Sequence, residues 1–138
     1  MGFEVASGNP GLVRFRLELF VDDVEISTRF YVDGLGFVVE RRESGYAHLR
    51  RGDAELGLAA MARLPERGPG PGFTRERLAV ARGTGVEIVL EVDDLEGMAQ
   101  AVERAGFSII EPLQERPWGL VDFRVADPDG YYVRITSR

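Results

Sequence analysis

No cysteine occurs among the 138 residues. Its absence excludes a disulfide framework, a Cys-ligated zinc or iron–sulfur centre, and a thiol nucleophile. Histidine and tryptophan occur once each, as His48 and Trp118. No apolar run is long enough to cross a bilayer, and the opening "MGFEVASGNP" lacks the basic start and apolar stretch of a secretory signal. Ala6 breaks the myristoylation pattern that Gly2 begins. A cytoplasmic location is therefore expected, with no membrane partner. The serines at 7, 27, 44, 108 and 137 stand in no elbow or triad context. "RGPGPGF" at 67–73 lacks the Lys and the strand-to-helix frame of a phosphate cradle. The formal charge of −6 argues against a nucleic-acid partner; it serves solubility and would steer a cationic ligand. What is present is an ordinary globular balance, 44% apolar and 29% charged, in one domain by length.

The chain repeats itself. "VDDVE" at Val21–Glu25 returns as "VDDLE" at Val92–Glu96, and Gly36-Phe37 returns as Gly106-Phe107. The two spacings differ by one residue, so the halves stay in register. Phe15, Leu17, Leu19 and Val21 alternate with Arg16, Glu18 and Phe20, and Val86, Ile88, Leu90 and Val92 alternate with Glu87, Val89 and Glu91. Each run reads as a strand with one apolar face. Asp22 and Asp93 then read as helix N-caps, with Glu25 and Glu96 completing capping boxes. The aspartates are thus assigned structural roles.

Three strands are expected after each helix: Phe37–Arg42, Tyr46–Arg50 and Ala54–Met61, then Phe107–Glu111, Leu120–Ala126 and Tyr131–Thr136. The organisation is a first βαβββ module over 13–62, a linker over 63–85 and a second module over 86–137, within one domain spanning 1–138. The linker is rich in Pro and Gly at its start and predicted helical over Thr74–Arg82. It is expected to cover part of a site, since long loops in compact domains usually carry a function.

Paired βαβββ modules resemble the vicinal oxygen chelate superfamily of glyoxalases, dioxygenases and bleomycin-resistance proteins. The likeness runs from Val13 to Ser137. Its most specific stretch is "RPWGLVDFRVADPDGYYVRI" (116–135), which is most similar to the bleomycin-resistance branch, and "FYVDGLGFVVERRE" is a common superfamily phrase. The resemblance implies an α+β fold whose curled mixed sheets surround a cleft. It also implies a homodimer. Metal-dependent members carry His or Gln, Glu, His and Glu on the first and last strands of the modules. Those positions fall here at Arg16, at Gly57 or Glu55, at Glu87 and at Arg134. Two arginines and a glycine cannot hold a divalent cation, so no metal and no cofactor is expected.

Arg16, Glu87 and Arg134 are expected to neutralise one another across the module interface, and such a cluster need not add stability. Glu18, Phe20, Tyr46, His48, Glu55, Val89, Glu91 and Tyr132 share faces with them and complete the expected cleft lining. Trp118, set between Pro117 and Gly119, reads equally as packing or as a loop-mounted wall of the site. Tyr131, beside a turn, reads as surface or interface. Aromatic walls with nearby acids suit a flat ligand, cationic or neutral. The leading expectation is metal-independent binding that sequesters an aromatic natural product, as in antibiotic resistance, with no catalytic residue. The first rival is a metal-free enzyme acting on a polyketide-like substrate through Glu87, Glu91 or His48. The second is a metal enzyme with Glu55, Glu87 and His48 as shifted ligands.

Overall fold

The computed structural model describes residues 11–138. The expected repeat is built as two four-stranded sheets. In the first, β1 (Leu17–Val21), β2 (Val38–Glu43), β3 (Tyr46–Arg51) and β4 (Ala54–Ala60) lie in the order β1-β4-β3-β2. In the second, β5 (Glu87–Glu91), β6 (Ile109–Glu115), β7 (Val121–Ala126) and β8 (Tyr132–Thr136) lie in the order β5-β8-β7-β6. The first strand of each module runs parallel to the last, and every other pairing is antiparallel. The fold is α+β with two tandem βαβββ modules.

Alternation gives each sheet two unlike faces. Leu19, Val21, Leu49, Leu56 and Leu58 point one way, as do Phe123, Val125, Val133 and Ile135 in the other sheet, and all join one core. Two helical segments close it. Helix α1 (Val24–Arg29) continues into a wider turn at Phe30–Gly34, and α2 (Leu95–Arg104) packs on that turn. Phe30 meets Tyr31 and Phe107 edge-on at centroid distances of 4.9 and 5.0 Å. Gly34 packs against Val102, whose methyl group would stand in ordinary contact, 3.6 Å, with a Cβ added there.

Several expectations are corrected. The helix caps are the second aspartates: Asp23 accepts from the amides of Glu25 and Ile26, and Asp94 from that of Gly97. Asp22 is instead committed to Arg82, and Glu25 to Arg42 rather than to a capping box. No helix forms over Thr74–Arg82. One α-turn closes from Leu78 N to Thr74 O, but Val80 is exposed, so no apolar face buries a helix there. Strand β6 runs to Glu115 through Pro112; an edge strand tolerates the missing amide, and the register slips between Glu111 and Gln114. Tyr131 is buried, not surface.

The turn Asp127–Gly130 clasps the modules together. Gly130, at φ 95°, allows its tight closure. Asp127 accepts from the buried Tyr31 hydroxyl at 2.7 Å. Asp129 accepts from the Asp22 amide at 2.8 Å and from Ser27 Oγ at 3.2 Å. The Tyr131 hydroxyl lies 3.0 Å from the Phe20 carbonyl, to which it donates.

Candidate functional site

The polar face of the first sheet is set out in rows by strand register. Tyr46, Ala59 and Phe20 form one row across β3, β4 and β1, and His48, Gly57 and Glu18 form the next. Arg50 and Glu55 follow in a third. Gly57 and Ala59 of β4 stand low between the taller side chains of β1 and β3. Gly57 is bare for a reason: a Cβ on it would stand 2.3 Å from both Glu18 Oε2 and the Tyr46 hydroxyl. These two groups lie over its α-carbon, and the hydroxyl donates to the carboxylate at 2.8 Å. Arg16 donates to the same Glu18 oxygen at 2.5 Å. Burial, and then this carboxylate, push the Tyr46 phenol above its ordinary pKa.

Glu55 stands at the far end of this face. Its side chain is 6% exposed. His48 Nε2 lies 2.9 Å from Oε1, and Arg14 and Arg50 each approach Oε2 to 3.3 Å. The His48 hydrogen bond, opposed by burial and helped by the arginines, holds this carboxyl below the usual range. At the other end, Phe20 meets Phe73 from the linker, with centroids 4.6 Å apart.

The second sheet carries a separate network. Arg134 forks onto Glu87 at 3.2 and 3.3 Å. The fully buried Asp122 accepts from Arg116 and Arg124, and Arg124 also donates to the Tyr132 hydroxyl at 3.2 Å. Burial raises the Asp122 pKa, but the two guanidinium groups bring it below normal on balance. Glu91 has no charged partner among the described residues, and Val89 stands half open beside it.

By hydrogen bonding the expected lining falls into two groups, although Glu55, Glu87 and Val89 line one cavity. Arg16, Phe20, Tyr46, His48 and Glu55 belong to the first sheet, and Glu87, Glu91, Tyr132 and Arg134 to the second. Among the described residues no hydrogen bond, ion pair or ring contact joins one group to the other. The expected three-way cluster of Arg16, Glu87 and Arg134 is thus corrected: Arg16, just ahead of β1, turns to Glu18 two residues on. Trp118 is 60% exposed in the β6–β7 turn and makes no ring contact among the described residues. Sequence reasoning missed Phe73, Arg82, Asp122 and Arg124. The alternation of β7 already placed Asp122 and Arg124 on the polar face, whereas nothing local marked Phe73.

The donor set does not fit the divalent cation of the metal-dependent relatives. Glu87 is forked by Arg134, Glu55 is ringed by two arginines, and a fourth donor is replaced by Gly57. Among the described residues no three His, Asp or Glu side chains converge as metal ligands. Glu55 and Glu87 line one cavity, but with His48 they do not converge as a ligand trio. All 17 basic residues are arginine, and arginine stays charged where lysine could lose its proton.

A family model described as the Glyoxalase/Bleomycin resistance protein/Dioxygenase superfamily matches residues 13–135. No curated protein matches the chain. Among solved structures, TioX from Micromonospora sp. ML1 is similar at 21% identity and TM-score 0.68, covering 91% of this chain and 98% of that one. A glyoxalase-related enzyme from Fulvimarina pelagi is similar at 22% identity and TM-score 0.69, with coverages of 92% and 89%. Lactoylglutathione lyase from Agrobacterium tumefaciens is similar at 20% identity and TM-score 0.68, with coverages of 94% and 96%. These likenesses carry the fold alone.

Proposed function

The chain belongs to the Glyoxalase/Bleomycin resistance protein/Dioxygenase superfamily, and from that premise we propose that it binds and sequesters a small aromatic natural product without a metal. The observation that carries this reading is the replacement of the metal donors. Arginine stands at two of the four positions, glycine at a third, and the remaining Glu87 is spent on Arg134. Phe20 and Tyr46, in one row of the first sheet, supply the aromatic wall. Within this reading a neutral ligand is favoured over a cationic one, because Glu18 and Glu55 are already neutralised by arginines. Resistance of the antibiotic type, a cytoplasmic location and a homodimer belong to the same proposal. Exposed Leu12, Val13, Phe15 and Val86 support a second copy of the chain; sedimentation at micromolar concentration tests it.

A second reading rests on His48. Its Nε2 is held by an ionised Glu55, which leaves Nδ1 to accept a proton from a bound substrate. One experiment separates the two. Metal-stripped protein is titrated calorimetrically with bleomycins, mitomycins, enediynes and anthraquinones, and each compound is recovered and weighed by mass spectrometry. Saturable heat with unchanged mass supports sequestration. A changed mass makes the protein an enzyme, and binding that appears only after metal is restored refutes the metal-free reading.

A further inference from the structure

We infer that Phe20 and Phe73 are the fixed and movable walls of one aromatic slot, which takes a flat ring bearing a hydroxyl or amino donor. The inference rests on the proposed binding function and adds to it the ligand's chemistry and the way it enters. Phe20 is immobilised from behind. Its carbonyl accepts from Tyr131 at 3.0 Å and from Arg82 at 3.2 Å, and its strand is paired to β4. Phe73 is different. Its ring is 58% exposed and meets only Phe20 among the aromatic rings of the described residues.

The backbone that carries Phe73 is held on both sides, so its ring moves by side-chain rotation. Thr74 is buried and accepts from the Arg77 amide at 3.1 Å, and Arg75 N reaches Pro65 O at 3.0 Å. The Arg77 guanidinium donates to the carbonyls of Gly68 and Gly72 at 2.9 and 2.6 Å. An exposed ring on this held arch is free to turn about its own side-chain bonds, whereas Phe20 is partly buried.

Distance shows that it must swing. The centroids are 4.6 Å apart and the planes tilted by 40°. A ring sandwiched between two others needs about 7 Å, twice a carbon contact of roughly 3.5 Å. Phe73 therefore covers Phe20 when the slot is empty and clamps the outer face of a ligand ring when it is filled. Glu18 sets the polar requirement. It lies two residues along the same strand, roughly 7 Å away. Tyr46 and Arg16 both use Oε2, leaving Oε1 without a partner among the described residues. A free carboxylate oxygen recognises a donor, not an acceptor.

The test is stopped-flow binding of 2,6-dihydroxyanthraquinone, with 2,6-dimethoxyanthraquinone as the donor-blocked control. Phe73→Ala is expected to speed association, because the cover is gone, and to speed release roughly tenfold, because a stacked wall is lost. Phe73→Trp should keep slow release. In a Trp118→Phe background its indole fluorescence should be quenched on binding. The dimethoxy compound should bind about tenfold more weakly than the dihydroxy one. Unchanged rates in Phe73→Ala, or an unquenched indole despite wild-type binding heat, would overturn the slot while leaving sequestration standing. Equal binding of the two anthraquinones overturns the donor requirement. If the wild-type protein binds neither compound nor any of the natural-product panel, the slot and the binding function fall together.

Discussion

The Tyr46 hydroxyl donates to Glu18 at 2.8 Å directly over the bare α-carbon of Gly57. Glu18 is flexible and the Tyr46 ring can tilt about χ1, so a methyl group at position 57 displaces the pair with little movement of backbone. Alanine in a strand also gains up to about 1 kcal/mol over glycine through lower chain entropy. Gly57→Ala should therefore leave the urea midpoint within about 1 kcal/mol of wild type while weakening anthraquinone binding roughly tenfold. Calorimetry and denaturation on the same preparation check this. Unaltered affinity would show that the Glu18–Tyr46 pair lies outside the site.

Glu55 gives the protein an acid limb. The His48 hydrogen bond holds its folded pKa below the ordinary value, with Arg14 and Arg50 assisting against burial. A carboxyl with a depressed folded pKa stabilises the fold above its unfolded pKa, about 4.3. That contribution is lost as pH falls through the lower folded value. Stability should accordingly drop between roughly pH 5 and pH 3. Glu55→Gln should flatten part of this slope, and Asp122, also held low on balance by Arg116 and Arg124, should supply the rest. Urea midpoints measured across that range decide it; an unchanged slope in Glu55→Gln would remove the His48–Glu55 pair from the account.

How far the sequence reached follows from the reach of each interaction. The duplicated "VDD" and the two alternating runs expose the tandem modules, because strand alternation is local and period two survives any tertiary context. The same alternation put Glu18, Tyr46, His48 and Glu55 on one face. It left open which of two adjacent aspartates would cap. That choice depends on Arg82, sixty residues from Asp22, claiming the first of them. Phe73 was equally hidden: a phenylalanine in a Pro/Gly loop has no periodicity, and only the packing of the linker brings it to Phe20. The three-way charge cluster expected of Arg16, Glu87 and Arg134 failed for a related reason. Sequence places residues on faces, but it does not show that Arg16 has a nearer carboxylate in Glu18 than in Glu87.

Tyr31 and Asp127 tie the first helical segment to the β7–β8 turn. The phenol is fully buried and donates at 2.7 Å, and burial pushes the Asp127 pKa up despite that bond. Tyr31→Phe should cost about 1.5–3 kcal/mol at pH 7, the range for a hydrogen bond to a charged group. The raised folded pKa means that ionising Asp127 works against folding as pH rises. Loss of the donor enlarges that penalty, so the deficit should be smaller at pH 4 than at pH 7. Urea denaturation at both values tests the sign. Equal deficits would show that the bond does little for the ionised form.

Arg82 fastens the linker to the clasp. Its side chain is 13% exposed and pairs with Asp22 at 3.0 Å and with Asp129 at 3.2 Å. Replacing it with methionine keeps the apolar stem but frees the C-terminal end of the linker. Asp129 would still accept from the Asp22 amide and from Ser27, but its buried carboxylate would lose its cation partner. The global cost should reach about 3 kcal/mol. Local opening is another matter, since a segment with few core contacts unfolds separately from the sheets. Arg82→Met should thus be cut by chymotrypsin after Phe73 about tenfold faster than wild type, a change that 1.4 kcal/mol of local opening would produce. Cleavage at the wild-type rate would mean that Thr74, Arg75 and Arg77 hold the arch without Arg82, and the linker's anchor would have to be placed within its own hydrogen bonds.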